Sequence, residues 1–156
     1  MVPDKKCLHA ALRLLSRRDH SCDELSKKLT QRGYEKEQII AVMEECVRLN
    51  YLDDERYSHV YTRQLRRKGY GVLRITHMLR AKGVCGKLID AGIQQHCGPE
   101  SQLRDCINVL EKKLRNGQGR VDSREQKMKI FRFLNSRGFT PAVIQQALNV
   151  FDGSIS

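Results

Sequence analysis

The sequence predicts an all-α protein built as three tandem three-helix repeats in an elongated array. One glycine-centred pattern occurs three times along the chain, and apolar residues recur at helical spacing on both sides of each glycine. No segment shows the alternation of apolar and polar residues that indicates a strand. Because a pattern that recurs at near-regular intervals is typical of helical arrays, we expect each copy to be one structural unit.

The repeated pattern is aligned on Gly33, Gly83 and Gly138 and contains seven positions that agree in kind. A basic residue precedes each glycine and an apolar residue follows it, and further apolar residues lie four and eight residues before it and six and ten residues after it. The other matched residues are, in chain order, Leu25, Leu29, Arg32, Tyr34, Ile39, Met43, Ile75, Leu79, Lys82, Val84, Ile89, Ile93, Ile130, Leu134, Arg137, Phe139, Ile144 and Leu148. The spacing predicts a helix that ends at a left-handed glycine, then a tight turn and a second helix.

Residues upstream of each pattern predict a third helix in every unit. Its apolar side chains are, unit by unit, Leu8, Ala11, Leu12 and Leu15; Tyr57, Val60, Tyr61 and Leu65; and Leu103, Ile107, Leu110 and Leu114. We therefore expect units at residues 1–50, 51–98 and 99–156, the third with an internal loop at 116–123. A unit of about 50 residues buries little surface alone, so neighbouring units should pack or hinge against one another.

Capping residues support these helix boundaries. Ser21 with Glu24, and Ser123 with Gln126, have the spacing of capping boxes at helix N-termini. Thr140 followed by a proline is a strong start signal for the last helix.

The net charge of +11 is the main functional indication of the composition. Residues 1–50 carry 10 basic and 8 acidic side chains, residues 51–100 carry 9 and 5, and residues 101–156 carry 10 and 5. A positive field of this size favours polyanionic partners, and it should be strongest beyond the first unit.

The sequence also bears on the cellular compartment. The N-terminus lacks the apolar stretch of a signal peptide, and no apolar run approaches the ~20 residues that span a bilayer. The six cysteines contain no CxxC pair. We therefore interpret them as reduced thiols of a cytoplasmic protein that makes no membrane contact.

Three stretches of sequence resemble the RecX family. Residues 51–84 read YLDDERYSHVYTRQLRRKGYGVLRITHMLRAKGV, in which a YLDD segment opens the middle unit and a KGYG turn precedes an arginine-bearing helix. The first unit contains ALRLLSRRDHSCDELSKKL followed by RGY, and the third contains RFLNSRGF. The resemblance runs from about residue 8 to residue 151 and is strongest in the first two units.

The resemblance to RecX implies a modulator of the recombinase RecA. RecX proteins consist of tandem three-helix repeats, bind RecA, lie along its filament on DNA, and limit filament assembly, ATPase and recombinase activity. They also bind DNA directly. The implied partners are RecA and single- and double-stranded DNA, in the context of DNA repair, recombination and the SOS response. The family carries over no catalytic residue and no cofactor, and we expect a monomer.

The helix predicted after residue 53 carries the clearest candidate binding face. At 100° per residue, Arg56, Arg63 and Arg67 lie within about 40° of one another, whereas the two tyrosines of the helix lie on a separate apolar face. Between residues 55 and 82, eight basic side chains accompany one acidic side chain. Such rows suit phosphate contacts, which depend on salt and not on base sequence. The candidate DNA- or RecA-binding residues are Arg56, Arg63, Arg66, Arg67, Lys68, Tyr70, Arg74, Arg80, Lys82, Lys127 and Arg132.

A second basic cluster lies in the third unit. Its members are Lys112, Lys113, Arg115, Arg120, Arg124, Lys127, Lys129, Arg132 and Arg137, with only Asp122 and Glu125 as acids in the same span. Each basic cluster is either a binding surface or a solvated face, and the one-sided accumulation of charge favours the binding surface. The basic residues before the turn glycines, Arg32, Lys82 and Arg137, have the alternative of binding the carbonyls at helix C-termini.

The tyrosines leave two interpretations open. Tyr57 and Tyr61 either stack on bases or belong to the core, and their place in an apolar stripe favours the core. Tyr70, which lies between two glycines, is either exposed for binding or a packing residue.

Motifs that would indicate catalysis do not occur in the sequence. The five histidines form no HxxxH or HExxH spacing, and there is no P-loop or GxSxG sequence. Asp53, Asp54 and Glu55 either hold a metal or basic RecA residues, or cap the following helix, and the cap is the favoured interpretation. We therefore expect no enzymatic activity, no metal and no cofactor.

Two other classes of function fit the same pattern. Three-helix units with a tight turn suit a helix-turn-helix-like transcription regulator that binds a specific DNA site. A helical scaffold that binds only proteins is the third hypothesis.

Overall fold

The computed structural model describes residues 2–117 and 121–153, which form nine helices and no strand. The helices are α1 (Lys5–Arg17), α2 (Cys22–Gln31), α3 (Lys36–Arg48), α4 (Asp54–Arg67), α5 (Val72–Ala81), α6 (Gly86–His96), α7 (Pro99–Asn116), α8 (Arg124–Ser136) and α9 (Pro141–Gly153). Each set of three helices encloses its own cluster of buried apolar residues. The predicted all-α class with three tandem three-helix repeats is confirmed.

The repeated apolar positions line the three cores. All the residues predicted eight and four before and six after the turn glycine are buried: Leu25, Leu29, Ile39, Ile75, Leu79, Ile89, Ile130, Leu134 and Ile144. The residue after the glycine is buried in the second and third units, as Val84 and Phe139, and half-buried in the first, as Tyr34. Helical periodicity therefore identified the inward faces of the second and third helices of each unit.

The three pattern glycines end their helices as predicted. Gly33, Gly83 and Gly138 have φ angles of +87°, +74° and +96°. In each turn the N–H of the following residue donates to the carbonyl five residues before it, for example from Phe139 to Leu134 at 3.3 Å. This pair of features is the Schellman motif, which satisfies carbonyls at the end of the helix.

The predicted caps form, with one correction. Ser123 and Gln126 make both bonds of a capping box, and the Thr140 hydroxyl accepts from the N–H of Val143 at 3.3 Å. Ser21 caps α2, but Glu24 does not complete the box, so the prediction there was wrong. The Glu24 carboxylate is instead held by two cations from outside α2.

The apolar stripe predicted for α1 is shifted in the structure. The buried side chains are Cys7, Ala10, Ala11 and Leu14, and the predicted Leu8, Leu12 and Leu15 lie half-buried beside them. Small residues on the inner face let the neighbouring helices approach closely, and the leucines close the edges of the core. Of the predicted stripe only Ala11 is buried, and the prediction missed Cys7, Ala10 and Leu14.

Neighbouring units dock through the glycine turns. The Ser21 hydroxyl at the start of α2 donates to the carbonyl of Lys82, and the Gly71 N–H at the start of α5 donates to the carbonyl of Arg137 at 2.8 Å. Each glycine turn thus packs against the N-terminal end of the second helix in the preceding unit. The contact is close: a Cβ atom placed on Gly138 would lie 2.4 Å from the Cβ of Arg74.

The predicted internal loop falls between α7 and α8, but residues 118–120, including Arg120 of the predicted basic cluster, lie outside the described residues. Within the described ranges, no helix combines the length and the apolar character that crossing a membrane requires.

Candidate nucleic-acid interface

A groove of about 810 Å³ lies between the second and third units, with α4 on one side and α7 and the end of α8 on the other. Among the residues that the structure describes, eight basic ones line it, against two acidic ones, Asp105 and Glu111. We call it the basic groove, and its basic residues are Arg63, Arg66, Arg67, Lys68, Lys112, Lys113, Arg115 and Arg137. A concave surface with this excess of cations focuses positive potential where an anionic chain can lie.

An ion pair between the units fixes the width of the groove. The Arg66 guanidinium donates from Nε to Asp105 at 2.7 Å and from a terminal nitrogen at 3.2 Å, and the two side chains are 24% and 15% exposed. The hydrogen bonds that Arg66 donates to this carboxylate raise the pKa of Arg66. The bidentate geometry joins α4 to α7, so Arg66 positions the walls and is itself occupied.

Several cations of the groove remain available for a ligand. Arg63, Arg67, Lys68 and Lys112 are exposed, and their side chains form no ion pair or hydrogen bond with another described residue. Lys113 lies over the ring of Phe133, 4.5 Å from its centroid. The wall on α4 and the wall on α7 therefore both present unneutralised charge to the cavity.

Arg137 closes the end of the groove from the third unit. Its guanidinium donates to the carbonyl of Gly69 at 3.1 Å and to the carbonyl of Lys68, at the C-terminus of α4. A cation here offsets the negative end of the helix dipole. The carbonyl-binding role considered for this residue therefore occurs, but toward a helix of the preceding unit.

Tyr70 lies half-buried between two arginines. The guanidinium carbon of Arg137 is 4.4 Å from the centroid of its ring, and that of Arg74 is 4.7 Å from it. Arg74 also donates to the carbonyl of Ser136 at 3.3 Å. Tyr70 and Arg74 thus contribute to the contact between the second and third units.

The structure brings four of the predicted site residues together, Arg63, Arg66, Arg67 and Lys68. Others lie outside the basic groove. Lys82 pairs with Glu24 at 3.2 Å, and Lys127 pairs with Asp152 at 2.9 Å. Arg56, Arg80 and Arg132 are exposed elsewhere on the surface.

The opposite wall of the groove was not assigned from the sequence. Lys112, Lys113 and Arg115 belonged to the recognised basic cluster of the third unit, but nothing placed them across from α4. A signal was present in α7, where Asp105, Asn108, Lys112 and Arg115 recur at helical spacing and now line the groove together. That polar stripe, followed on its own helix, would have identified the wall.

The acidic residues at the start of α4 and the tyrosines within it have structural contacts. Asp53 caps α4 by accepting from the N–H of Arg56 at 3.1 Å, and Asp54 accepts from the N–H of Cys22 at 2.8 Å. Tyr57 belongs to the core of the second unit, and Tyr61 is half-buried against it. Within the described ranges, no three histidine, cysteine or acidic side chains are grouped closely enough to hold a metal ion.

Comparison with known proteins shows the family. The sequence matches three models of the RecX family. The model described as "RecX, first three-helix domain" matches residues 7–46, that of the second three-helix domain matches residues 53–93, and that of the third matches residues 100–148. The regulatory protein RecX of Vibrio campbellii is 36% identical over 153 residues, which cover 97% of this chain and 95% of that protein. The chain belongs to the RecX family.

Other RecX proteins give the same result. Those of Vibrio vulnificus and Legionella pneumophila are 38% and 35% identical, and the matches cover 94% and 90% of this chain and 94% and 91% of theirs. The crystal structure of RecX from Lactobacillus salivarius matches with a TM-score of 0.81 at 21% identity, over 94% of this chain and 95% of that one. The solved structure supports the fold, and the sequence relatives are named as regulatory proteins.

Proposed function

We propose that this RecX protein regulates RecA by binding the RecA–DNA filament and limiting its assembly, ATPase and recombinase activity. We propose further that the basic groove contacts the DNA backbone directly and without sequence preference. Membership of the family supports RecA as the partner. The observation that supports DNA is the excess of eight basic over two acidic residues among the described residues that line one groove.

The chemistry of the groove suits phosphates better than base edges. Its exposed cations stand on two helices from different units and face a common cavity. Lysine and arginine at such positions release counterions when phosphates bind, which gives affinity that falls steeply with salt. Contacts of this kind fix a protein on the backbone and carry no sequence information.

The groove residues divide by role. Arg63, Arg67, Lys68, Lys112 and Lys113 are the proposed phosphate contacts, because they are exposed and carry no carboxylate partner. The two cations that join units, Arg66 and Arg137, hold the walls in place. The remaining candidates stay proposed contacts to RecA or to DNA beyond the groove: Arg56, Tyr70, Arg74, Arg80, Lys82, Lys127 and Arg132.

We propose that the protein acts by binding alone, as a monomer in the cytoplasm, with no cofactor. The proposed units are residues 1–50, 51–98 and 99–156. Linked units that touch RecA and DNA together would add their weak contacts through a high effective concentration.

The test uses purified RecA assembled on single-stranded DNA. Adding the full-length chain at stoichiometric concentration should lower ATP hydrolysis and strand exchange. ATP hydrolysis and strand exchange that stay unchanged at that concentration would remove RecA regulation as the function. Binding of labelled DNA in the absence of RecA, measured in parallel, tests the direct contact separately.

A further inference from the structure

A second cleft lies on the other side of α4, between the first and second units. It has a volume of about 690 Å³ and is lined by the end of α1, the middle of α4 and the residue that follows α5. The volume is within the range of roughly 300–1,000 Å³ that is typical of small-molecule sites. We call it the tyrosine cleft, after the half-buried ring of Tyr61 in its wall.

One helix separates the tyrosine cleft from the basic groove. Tyr61, Gln64 and Lys68 recur at helical spacing on the side of α4 that faces the cleft, whereas Arg63 and Arg67 face the groove. Lys68 lines both cavities. The two cavities therefore meet at the C-terminal end of α4, where the exposed side chain of Lys68 borders both of them.

The chemistry of the cleft differs from that of the groove. Its two cations besides Lys68 are already occupied, because Arg18 and Lys82 bind the carboxylate of Glu24 at 2.5 and 3.2 Å. These hydrogen bonds outweigh the effect of burial, which alone would raise the Glu24 pKa, and hold it at about 2. The cleft thus offers little free positive charge for phosphate.

What the cleft offers instead is a flat aromatic surface with polar groups at its edge. The Tyr61 ring packs beside the ring of Tyr57, which also lines the cleft, with centroids 5.4 Å apart and planes tilted by 34°. Leu15 and Val60 add apolar surface. The Gln64 amide and the Asp19 carboxylate supply a donor and acceptors for the edge of a planar heterocycle, and the carboxylate repels a phosphate.

We propose that the tyrosine cleft takes an unstacked nucleobase of a single DNA strand whose phosphates lie in the basic groove, with the base stacked on Tyr61. The strand would pass from one cavity to the other over Lys68. This inference rests on the proposed DNA binding by the groove. It adds that the site favours single strands, because a base in a duplex must first break its pairing and stacking to enter.

The test compares Tyr61→Leu with Tyr61→Phe. Equilibrium binding is measured with three labelled probes of equal length: a thymidine oligonucleotide, the same strand without bases, and a duplex. Tyr61→Leu should weaken binding of the thymidine strand by about tenfold, because stacking on one aromatic ring is lost. Tyr61→Phe keeps the ring and should bind within about twofold of the wild type.

The other two probes separate stacking from phosphate binding. The abasic strand and the duplex should bind the wild type and Tyr61→Leu equally, and this retained binding also shows that the variant is folded. Arg63→Glu should weaken all three probes, since it acts through phosphates.

Two results would overturn the inference. Equal losses of affinity for all three probes would mean that Tyr61 has a structural role only. Unchanged binding of the thymidine strand to Tyr61→Leu would mean that no base stacks on Tyr61. A wild-type protein that binds none of the probes would instead contradict the proposed DNA binding itself.

Discussion

The N–H of Gly71 donates a 2.8 Å hydrogen bond to the carbonyl of Arg137 in the next unit. One unit earlier, the Ser21 hydroxyl donates to the carbonyl of Lys82 at the equivalent place. Both donors stand at the start of the second helix, and both acceptors stand immediately before a turn glycine. The same docking contact therefore sets the register between successive units, and at the second junction it places α4 beside α7 to form the basic groove.

The close approach at this junction predicts different costs for two identical substitutions. Gly138→Ala and Gly33→Ala both place a side chain on a left-handed residue, which costs about 1 kcal/mol. At Gly138 the new Cβ also meets Arg74 at 2.4 Å, whereas at Gly33 nothing lies within 4 Å. We expect Gly138→Ala to lower the free energy of unfolding by about 2–4 kcal/mol and Gly33→Ala by about 1 kcal/mol. Urea unfolding followed by circular dichroism measures both, and equal losses would contradict the docking.

The ion pair across the groove gives a second prediction. Asp105→Asn removes the partner of the part-buried Arg66 and should destabilise the protein by about 1–3 kcal/mol, because a charge is left without compensation. Glu111→Gln is the matched control, since its 3.7 Å pair with Arg115 is exposed and should contribute less than about 0.5 kcal/mol. Thermal unfolding of the two variants compares them. If Glu111→Gln lowered the stability as much as Asp105→Asn does, the part-buried ion pair would contribute no more to stability than the exposed one.

The half-buried carboxylate of Glu24, between the first two units, predicts a pH dependence. The Glu24 pKa is held at about 2 in the folded protein, below its ordinary value of 4.5. The stabilisation is therefore complete above pH 4.5 and is lost as the pH falls toward 2. Glu24→Gln should lower the free energy of unfolding by about 1–2 kcal/mol at pH 7, an amount reduced by the half-exposed Arg18.

Chemical unfolding of Glu24→Gln and wild type at pH 7, 4 and 2.5 checks this sign. The difference between the two proteins should shrink steadily as the pH falls. A difference that is constant over this range would show that the ionised carboxylate contributes nothing.

Sequence selectivity distinguishes the RecX function from a site-specific transcription regulator. Groove cations that contact only phosphates should bind duplexes of unrelated sequence with affinities within about threefold of one another. Competition between labelled and unlabelled duplexes at physiological salt measures this ratio. One duplex that binds about a thousandfold better than random DNA would favour the transcription regulator.

The fold was largely predictable from the sequence because each element carries its own signal. A glycine followed by an apolar residue marks the end of a helix, and apolar spacing marks the inward face. Gly33, Gly83 and Gly138 accordingly adopt the left-handed conformation that the alignment predicted. Docking between units carries no such local signal, since nothing in the spacing around Gly138 indicates that Arg74 lies against it.

Only the α4 wall of the candidate site was predictable, because a helix carries a local signal and the contact between two helices does not. Angular position on α4 placed Arg63 and Arg67 on one exposed face, but it could not show that Arg66 would bind Asp105, which lies 39 residues away on α7. Periodicity reports which side of a helix is polar and not which helix lies opposite. The second wall of the groove therefore required the structure.

DNA binding by the basic groove is tested by comparing two charge-reversal variants with the same net charge. Arg63→Glu/Lys112→Glu changes one exposed cation on each wall of the basic groove, and Lys87→Glu/Arg104→Glu changes two exposed cations outside it. DNA affinity is measured against salt concentration, together with inhibition of RecA ATP hydrolysis.

We expect the groove variant to bind DNA at least about tenfold more weakly, with a salt slope reduced by about 1.4–1.8, and to inhibit RecA less than the wild type. The control variant should keep most of its affinity and its inhibition. Equal losses in both variants, or a groove variant that binds DNA as the wild type does, would contradict the assignment of the basic groove.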